Sequence, residues 1–316
     1  MIPHSGIDEV GSTSGDTGKF RFSLNVLRGF EADGGHLETK TLSPTGQVIR
    51  GPLHRHVVSL DFLRVQVVAE YQFAENWRVR LSVPYDIKNQ NASIEEIAPT
   101  TPAEQQAILR NQNIHHRDEG YHGFADFSFL VSRQMSGLLS DDDQLFASLG
   151  TSIPVGETEE DPWQLGEAGQ AHLHIQFGTG TFNPLAELHY GIALFGDLSL
   201  STSVRGLFPF YANTKTYRGS VELSGAAEVK YHAKDWLAFH TGYFGLVQSY
   251  ARWDGERDIN SGLVFNIAQL GVTVNPGYGV PLRLNMMFPF HGRTLADEGD
   301  AFEHGPTISL TTSHSF

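Results

Sequence analysis

The sequence predicts an all-β fold: a closed antiparallel transmembrane β-barrel of about 12 strands, with short periplasmic turns and long extracellular loops. Three observations carry this prediction. Apolar and polar residues alternate over many segments of about ten residues, the length of a tilted strand crossing hydrocarbon. Short and long connections alternate along the chain, as they do between the two sides of an outer-membrane barrel. The chain ends on an alternating strand, "TISLTTSHSF", with an aromatic at its last position. A closed barrel has no free edge, so that strand is expected to pair with the first.

Composition narrows the alternatives. The 316 residues include 21 Phe, 10 Tyr and 4 Trp, yet no run approaches the roughly 18 apolar residues of a transmembrane helix. Any membrane crossing therefore falls to strands. The absence of Cys excludes disulfides and thiolate metal sites. A formal net charge of −14 argues against a nucleic-acid partner. The start "MIPHSGIDEVGSTSGDTG" lacks the basic n-region and apolar core of a signal peptide. Residues 1–17 are read as an N-terminal periplasmic extension, too short for an energy-coupling plug, and 18–316 as the barrel.

The strands follow in order. "KFRFSLNV" sets Phe20, Phe22, Leu24 and Val26 against Arg21, Ser23 and Asn25. "LRVQVVAEYQF" sets Leu63, Val65, Val67, Ala69, Tyr71 and Phe73 against Arg64, Gln66, Glu70 and Gln72. "WRVRLSV" sets Trp77, Val79, Leu81 and Val83 against Arg78, Arg80 and Ser82. Weaker alternation over 124–134, 144–154 and 184–195 supplies three more strands. "DLSLSTSVR" and "VELSGAAEVKY" come next. Their Leu200, Val204, Leu223 and Val229 are expected to face lipid, and Ser201, Arg205, Glu222 and Glu228 the lumen. Strands over 236–250 and 262–275 follow, the second changing phase near Gln269, where a β-bulge is expected. "LRLNMMF" and the terminal strand complete the set. No segment shows a convincing helical period.

Short turns at 73–77, 135–143, 195–197, 232–236 and 275–281 alternate with polar excursions at 32–55, 86–121, 155–182, 251–261 and 291–305, and a shorter one at 212–218. Rising strands end in "SVPYD", "SIPVG", "LFPFY" and "MFPFH". Proline cannot donate to the ladder, so it is expected where pairing stops. The aromatics around it would form the outer girdle, with Trp77 and Trp236 in the inner one.

Charges on the polar face must be paired or hydrated inside a barrel. The early strands offer Arg64, Arg78 and Arg80 with Glu70. The middle strands offer Asp126, Glu187, His189 and Arg205, and the late ones Glu222, Glu228 and Arg283. These residues describe either a polar pathway that selects permeants by charge or a ladder of salt bridges filling a narrow lumen. Most of the 15 His fall in the expected outer loops. "NIHHRDEGYHG" groups His115, His116 and His122, and "HLH" places His172 and His174 on one face of an extended segment. Imidazole suits zinc, copper or nickel, so these five are candidate metal ligands. No strict ligand spacing accompanies them, and loop histidines hydrogen-bonded at the surface are the plainer reading. "GTGTFNP" lacks the lysine and following helix of a phosphate loop. Neither enzymatic activity nor a cofactor is expected.

The segments "GYHGFADFSFLVSRQ" (120–134), "LFASLGTSIPVGETEE" (145–160) and "HLHIQFGTGTFNPLAELHYG" (172–191) resemble the core of the outer-membrane transporter family associated with meta-pathway phenol degradation. Gly123, Asp126, Pro154, Gly156, Gly178, Thr179 and Gly180 carry the resemblance. It implies a barrel and a transport role, and no named cargo or catalytic residue. The terminal strand likewise resembles the C-terminal signature of outer-membrane barrels, which implies the barrel-assembly machinery as a partner through Phe316. The expected setting is the outer membrane of a Gram-negative bacterium, in contact with lipid and lipopolysaccharide. The expected role is a passive channel or transporter for small molecules, hydrophobic or aromatic compounds being the candidate permeants. The alternative is a scaffolding barrel with a closed lumen, whose loops or periplasmic face bind a protein partner.

Overall fold

Alternation does place the strands. The computed structural model describes residues 19–277, 280–296 and 301–316; the proposed 1–17 extension lies outside them. Among the described residues twelve strands form the barrel. They are β1 (Phe20–Leu42), β2 (Val48–Ala74), β3 (Trp77–Glu96) and β4 (Glu119–Phe124 and Phe127–Ser136, broken at Ala125–Asp126). β5 (Gln144–Ile153), β6 (Pro184–Ala193), β7 (Leu198–Leu207) and β8 (Glu222–Lys234) follow. β9 (Leu237–Gln248), β10 (Leu263–Val274), β11 (Leu282–Thr294) and β12 (Thr307–Ser315) finish the circuit. Each strand pairs antiparallel with the next, and β12 returns to β1, from Ser315 opposite Arg21 to Thr307 opposite Gly29. The Phe316 N–H donates to the Phe20 carbonyl at 2.8 Å, and its ring stands edge-on to Phe22 at 6.1 Å. The terminal aromatic thus sits at the closing seam.

The two faces separate as the sequence predicts. Val204 and Leu223 are 56% and 49% exposed on the outer surface, whereas Glu228 on the neighbouring β8 face is 2% exposed. Trp77 and Trp236 are exposed beside the short turns, and Phe208, Phe210, Tyr211, Phe288 and Phe290 are exposed toward the other rim. An outer surface of this kind suits hydrocarbon and not water.

Four details differ from the sequence reading. The excursion at 32–55 is largely strand: β1 and β2 run to 23 and 27 residues and turn only at 43–47. A membrane crossing needs about 9–11 residues, so this hairpin continues well beyond the bilayer. The connection after β3 carries a helix, α1 (Pro102–His115), and the one after β5 a shorter one, α2 (Pro162–Glu167). Thr101 caps α1 in a reciprocal box with Glu104, and Pro102 occupies its first turn. Among the prolines, Pro154 and Pro209 do follow strand ends, but Pro84 lies inside β3 and Pro289 inside β11. Pro84 faces the break in β4, where its carbonyl accepts from Ala125, and Pro289 adjoins a register shift. The expected bulge is that same shift: Phe290 on β11 is the extra residue, while Gln269 keeps phase with Phe265 and Ile267, all three buried inward.

A second bulge matters more. Between Gly29 and Ala32 the β1–β2 register shifts, so the inner face of β1 passes from Asn25 and Leu27 to Ala32 and His36. Gly29 makes room for Phe62 of β2, since a Cβ there would stand 2.1 Å from the ring.

The face assignment has a direct check. Val204→Arg or Leu223→Arg should destabilise the folded barrel by about 2–4 kcal/mol near the bilayer midplane, whereas Ser201→Arg should cost little. Urea titration of the refolded protein in liposomes measures this; a greater loss from Ser201→Arg would reverse the faces.

Candidate functional site: a lumen divided between an ion-pair belt and an apolar wall

Because side chains alternate across each strand, the inner faces bring charges from all round the barrel into one enclosed volume. Some pair with the neighbouring strand. Arg64 of β2 grips Asp86 of β3 with Nε and Nη2 at 2.7 and 2.8 Å, and Arg21 of β1 lies 3.5 Å from Glu70 of β2. Others reach across the lumen. Arg80 of β3 hydrogen-bonds Glu187 of β6, whose other oxygen takes Arg205 of β7 at 3.2 Å. Arg283 of β11 binds Glu228 of β8, which also accepts from Gln269 at 3.1 Å and lies 3.4 Å from His240 Nδ1. Gly271 permits that last group, because a Cβ there would stand 2.1 Å from the His240 ring.

Most of the predicted lumen residues therefore meet. Arg78 bonds Gln134 at 3.2 Å and lies over the Phe146 ring at 4.5 Å. His189 is buried beside Phe146, and Glu222 accepts from Gln248 at 3.3 Å. Asp126 is the exception. It occupies the break in β4, where it accepts from Gly156 N at 3.1 Å and from Thr179 N and Oγ1 at 2.8 Å each. It is a fastening for the 154–183 connection and not part of the lumen. Asp86, His240 and Gln269 were not anticipated. The sequence reading puts Asp86 at the start of a loop and a bulge near Gln269; for Asp86 the available signal is Arg64, an inward arginine that needs a carboxylate.

One part of the inner surface is apolar. Leu27, Phe62, Phe244, Leu246, Phe265, Ile267 and Met287 pack together on the inward faces of β1, β2 and β9–β11, with Ala226 of β8. This wall lies farther from the periplasmic turns than the Glu228–Arg283–His240 group. Leu27 and Phe244 line a cavity of about 60 Å³ together with Arg64, Arg80, Glu187 and His189, Leu27 directly beside Arg64 in the β1–β2 register. A cavity of that size holds a few water molecules; one of about 150 Å³ accommodates benzene.

The candidate metal ligands divide as well. His115 and His116, at the end of α1, meet His172 and His174 of the 170–174 segment, and His36, His54 and His56 of the β1–β2 extension join them. His122 does not. It is exposed on β4, its Nδ1 2.9 Å from the Tyr85 hydroxyl. Burial pushes the His115 pKa down, reinforced by His116, His174, His172 and His56, and burial likewise lowers that of His172. The sequence counts His36, His54 and His56 among the outer-loop histidines but not among the ligand candidates, because a segment read as loop offers no common face to place them on.

No family model matches the chain, and no curated protein sequence does. Solved structures do. The COG4313 outer membrane channel from Pseudomonas putida F1 aligns over 100% of both chains with a TM-score of 0.59 at 10% identity. A Pseudomonas aeruginosa FadL homologue aligns over 94% of this chain and 90% of its own, with a TM-score of 0.45 at 10% identity. The P. putida toluene transporter TodX covers 95% and 90%, with a TM-score of 0.43 at 11% identity. The chain has the fold of a Gram-negative outer-membrane channel: a closed, antiparallel, 12-stranded barrel.

Glu187 is the counter-ion shared by two arginines. Glu187→Gln should lower stability by about 3 kcal/mol, the low end for breaking a buried pair, because the cavity admits water. It should also move the reversal potential under a salt gradient toward anions. An unchanged urea midpoint together with an unchanged reversal potential would remove Glu187 from that role.

Proposed function

We propose that this protein is a passive outer-membrane channel for small molecules, and that its permeants are small aromatic or otherwise largely apolar compounds bearing a polar group. The observation that carries the reading is the divided lumen. An apolar wall that includes Phe62, Phe265 and Ile267 reaches, through Leu27 and Phe244, the cavity lined by Arg64, Arg80 and Glu187. A uniformly charged bore would favour ions, and a dry apolar bore would strand any hydroxyl or carboxylate without a partner. A ring sliding along the apolar wall keeps its polar substituent within reach of arginines and glutamate. The motif residues Asp126, Gly156 and Thr179 form one hydrogen-bonded unit, which supports the resemblance to the phenol-degradation transporter family and a transport role. At about 60 Å³ the cavity is smaller than a benzene ring requires, so transit involves movement of lumen side chains. The same narrowness favours the second reading, a closed scaffolding barrel that binds a protein partner.

Planar-bilayer recordings separate the two. Folded protein should give small, discrete conductance steps, and repeated silence from correctly folded protein would overturn the channel. For the cargo, Phe244→Glu should slow uptake of a phenol-class solute into proteoliposomes about tenfold, within the ~1.5–3 kcal/mol that burial of an apolar side chain supplies. Potassium chloride conductance should persist. Unaltered solute uptake would exclude the apolar wall from the path.

A further inference from the structure

Four separate stretches of chain deliver histidines to one place above the membrane. The β1 bulge turns His36 inward, and strand register sets it directly opposite His56, with His54 two residues farther along the same face of β2. His54 and His56 are completely buried. His115 is the last residue of α1 and His116 its C-cap, whose N–H donates to Gln112 O at 2.8 Å. The 170–174 segment runs beside them, its His172 N–H donating to Ile114 O at 3.0 Å. One ring nitrogen from each of His36, His56, His115 and His116 lies within 4.8 Å of the others, and the same holds for His115, His172 and His174.

Packing alone is a poor account of this gathering. An imidazole that is buried without a partner for its nitrogen costs about 1–3 kcal/mol, and the buried Nε2 of His115 has no hydrogen-bond partner among the described residues. One ring is already oriented as metal ligands are. The Nδ1 atom of His172 lies 2.9 Å from the Gln170 carbonyl, a contact that places the proton on Nδ1 and leaves Nε2 as a lone-pair donor. His54 is held in the same way by the Pro52 carbonyl, and its Nε2 lies 3.1 Å from His56 Nε2, so it supports His56 from outside the donor set. His115 and His116 also stand at the C-terminus of α1, where the helix dipole favours a cation. Neutral imidazoles and no thiolate suit zinc, copper or nickel.

We propose that this cluster binds a divalent transition-metal ion of the zinc, copper or nickel class, with His36, His56, His115 and His116 as its donors, and that the ion ties α1 to the β1–β2 extension over the outer mouth. Bringing donors from a 4.8 Å spread to the about 3.3 Å between ligands of a tetrahedral ion takes ring movements of about an ångström. Binding is independent of whether the lumen conducts.

The test uses the full chain, refolded in detergent, freed of any affinity tag and stripped with chelator. Zinc chloride is titrated calorimetrically, and copper(II) is followed by electron paramagnetic resonance. Wild type should bind a zinc ion saturably, and copper should show coupling to several imidazole nitrogens. His115→Gln, and separately His36→Gln with His116→Gln, should weaken zinc by about 100-fold or more, since loss of even an outer-sphere partner costs about 10–100-fold. His122→Gln, outside the cluster, should match wild type. The heat-dependent gel shift of folded barrels verifies that each variant has folded. Saturating zinc should slow tryptic cleavage at Arg110 of α1 about tenfold or more in wild type, and not in His115→Gln. Absence of saturable binding to the folded wild type, or equal affinity in both cluster variants, overturns the site. Tight binding with unchanged cleavage overturns the tie.

Discussion

Within hydrocarbon every backbone N–H and C=O must find a partner inside the protein, and the seam between β12 and β1 is where this chain meets that demand. The seam spans nine residue pairs, from Arg21–Ser315 to Gly29–Thr307, and Phe316 extends it through its backbone N–H. Much else is a consequence. Once the sheet is closed, an inward charge has no route to bulk water except along the bore, so it needs a partner there. Pairs between neighbouring strands, such as Arg64–Asp86, stabilise a hairpin that already exists. Arg80–Glu187 and Arg283–Glu228 differ, because they join strands that are not neighbours and so brace the bore itself.

That bracing explains why the lumen is narrow. Twelve strands enclose a volume intermediate between side-chain-filled small barrels and water-filled porins. Arginine and glutamate reaching inward fill it more economically than aliphatic side chains, as each long side chain spans part of the gap and meets its partner midway. On β9–β11 the inward positions beyond His240, Gln269 and Arg283 carry Phe244, Phe265, Ile267 and Met287. These have no partner to reach for, and they pack on one another. Along β8–β11 the bore is thereby polar and braced at the level of Glu228, His240 and Arg283, and apolar farther from the periplasmic turns.

The membrane-spanning part was legible because lipid imposes a rule with period two. A residue such as Val204 or Leu223 must be apolar where its neighbours Arg205 and Glu222 need not be. Above the bilayer the rule lapses, since water wets the outer face. In β1 and β2 beyond Gly29 and Val58 the alternation fades and strand reads as loop. Helix α1 was missed for a related reason. Of its side chains Ala107, Ile108 and Asn111 are the buried ones, too few to make an apolar stripe. Asp126 was misplaced because alternation carries no information about a strand that breaks. The partners Asp86, His240 and Gln269 required knowledge of which strands face each other, and register supplies that while composition does not.

Parity links the two regions. The bulge after Gly29 adds one residue to β1, so that odd positions line the bore below it and even positions continue the inner face above. Without that extra residue His36 would point away from His56, and the inner face of the extension would carry Leu37 in its place. A lipid-exposed strand tolerates such a change of parity poorly, because it would turn an apolar row inward and a polar row into hydrocarbon. Beyond the bilayer it costs little, since the outer face there meets water. The bulge therefore lies where a single backbone irregularity can redirect side chains without disturbing the spanning strands, and polar rings can gather beneath α1 in a setting the hydrocarbon would forbid.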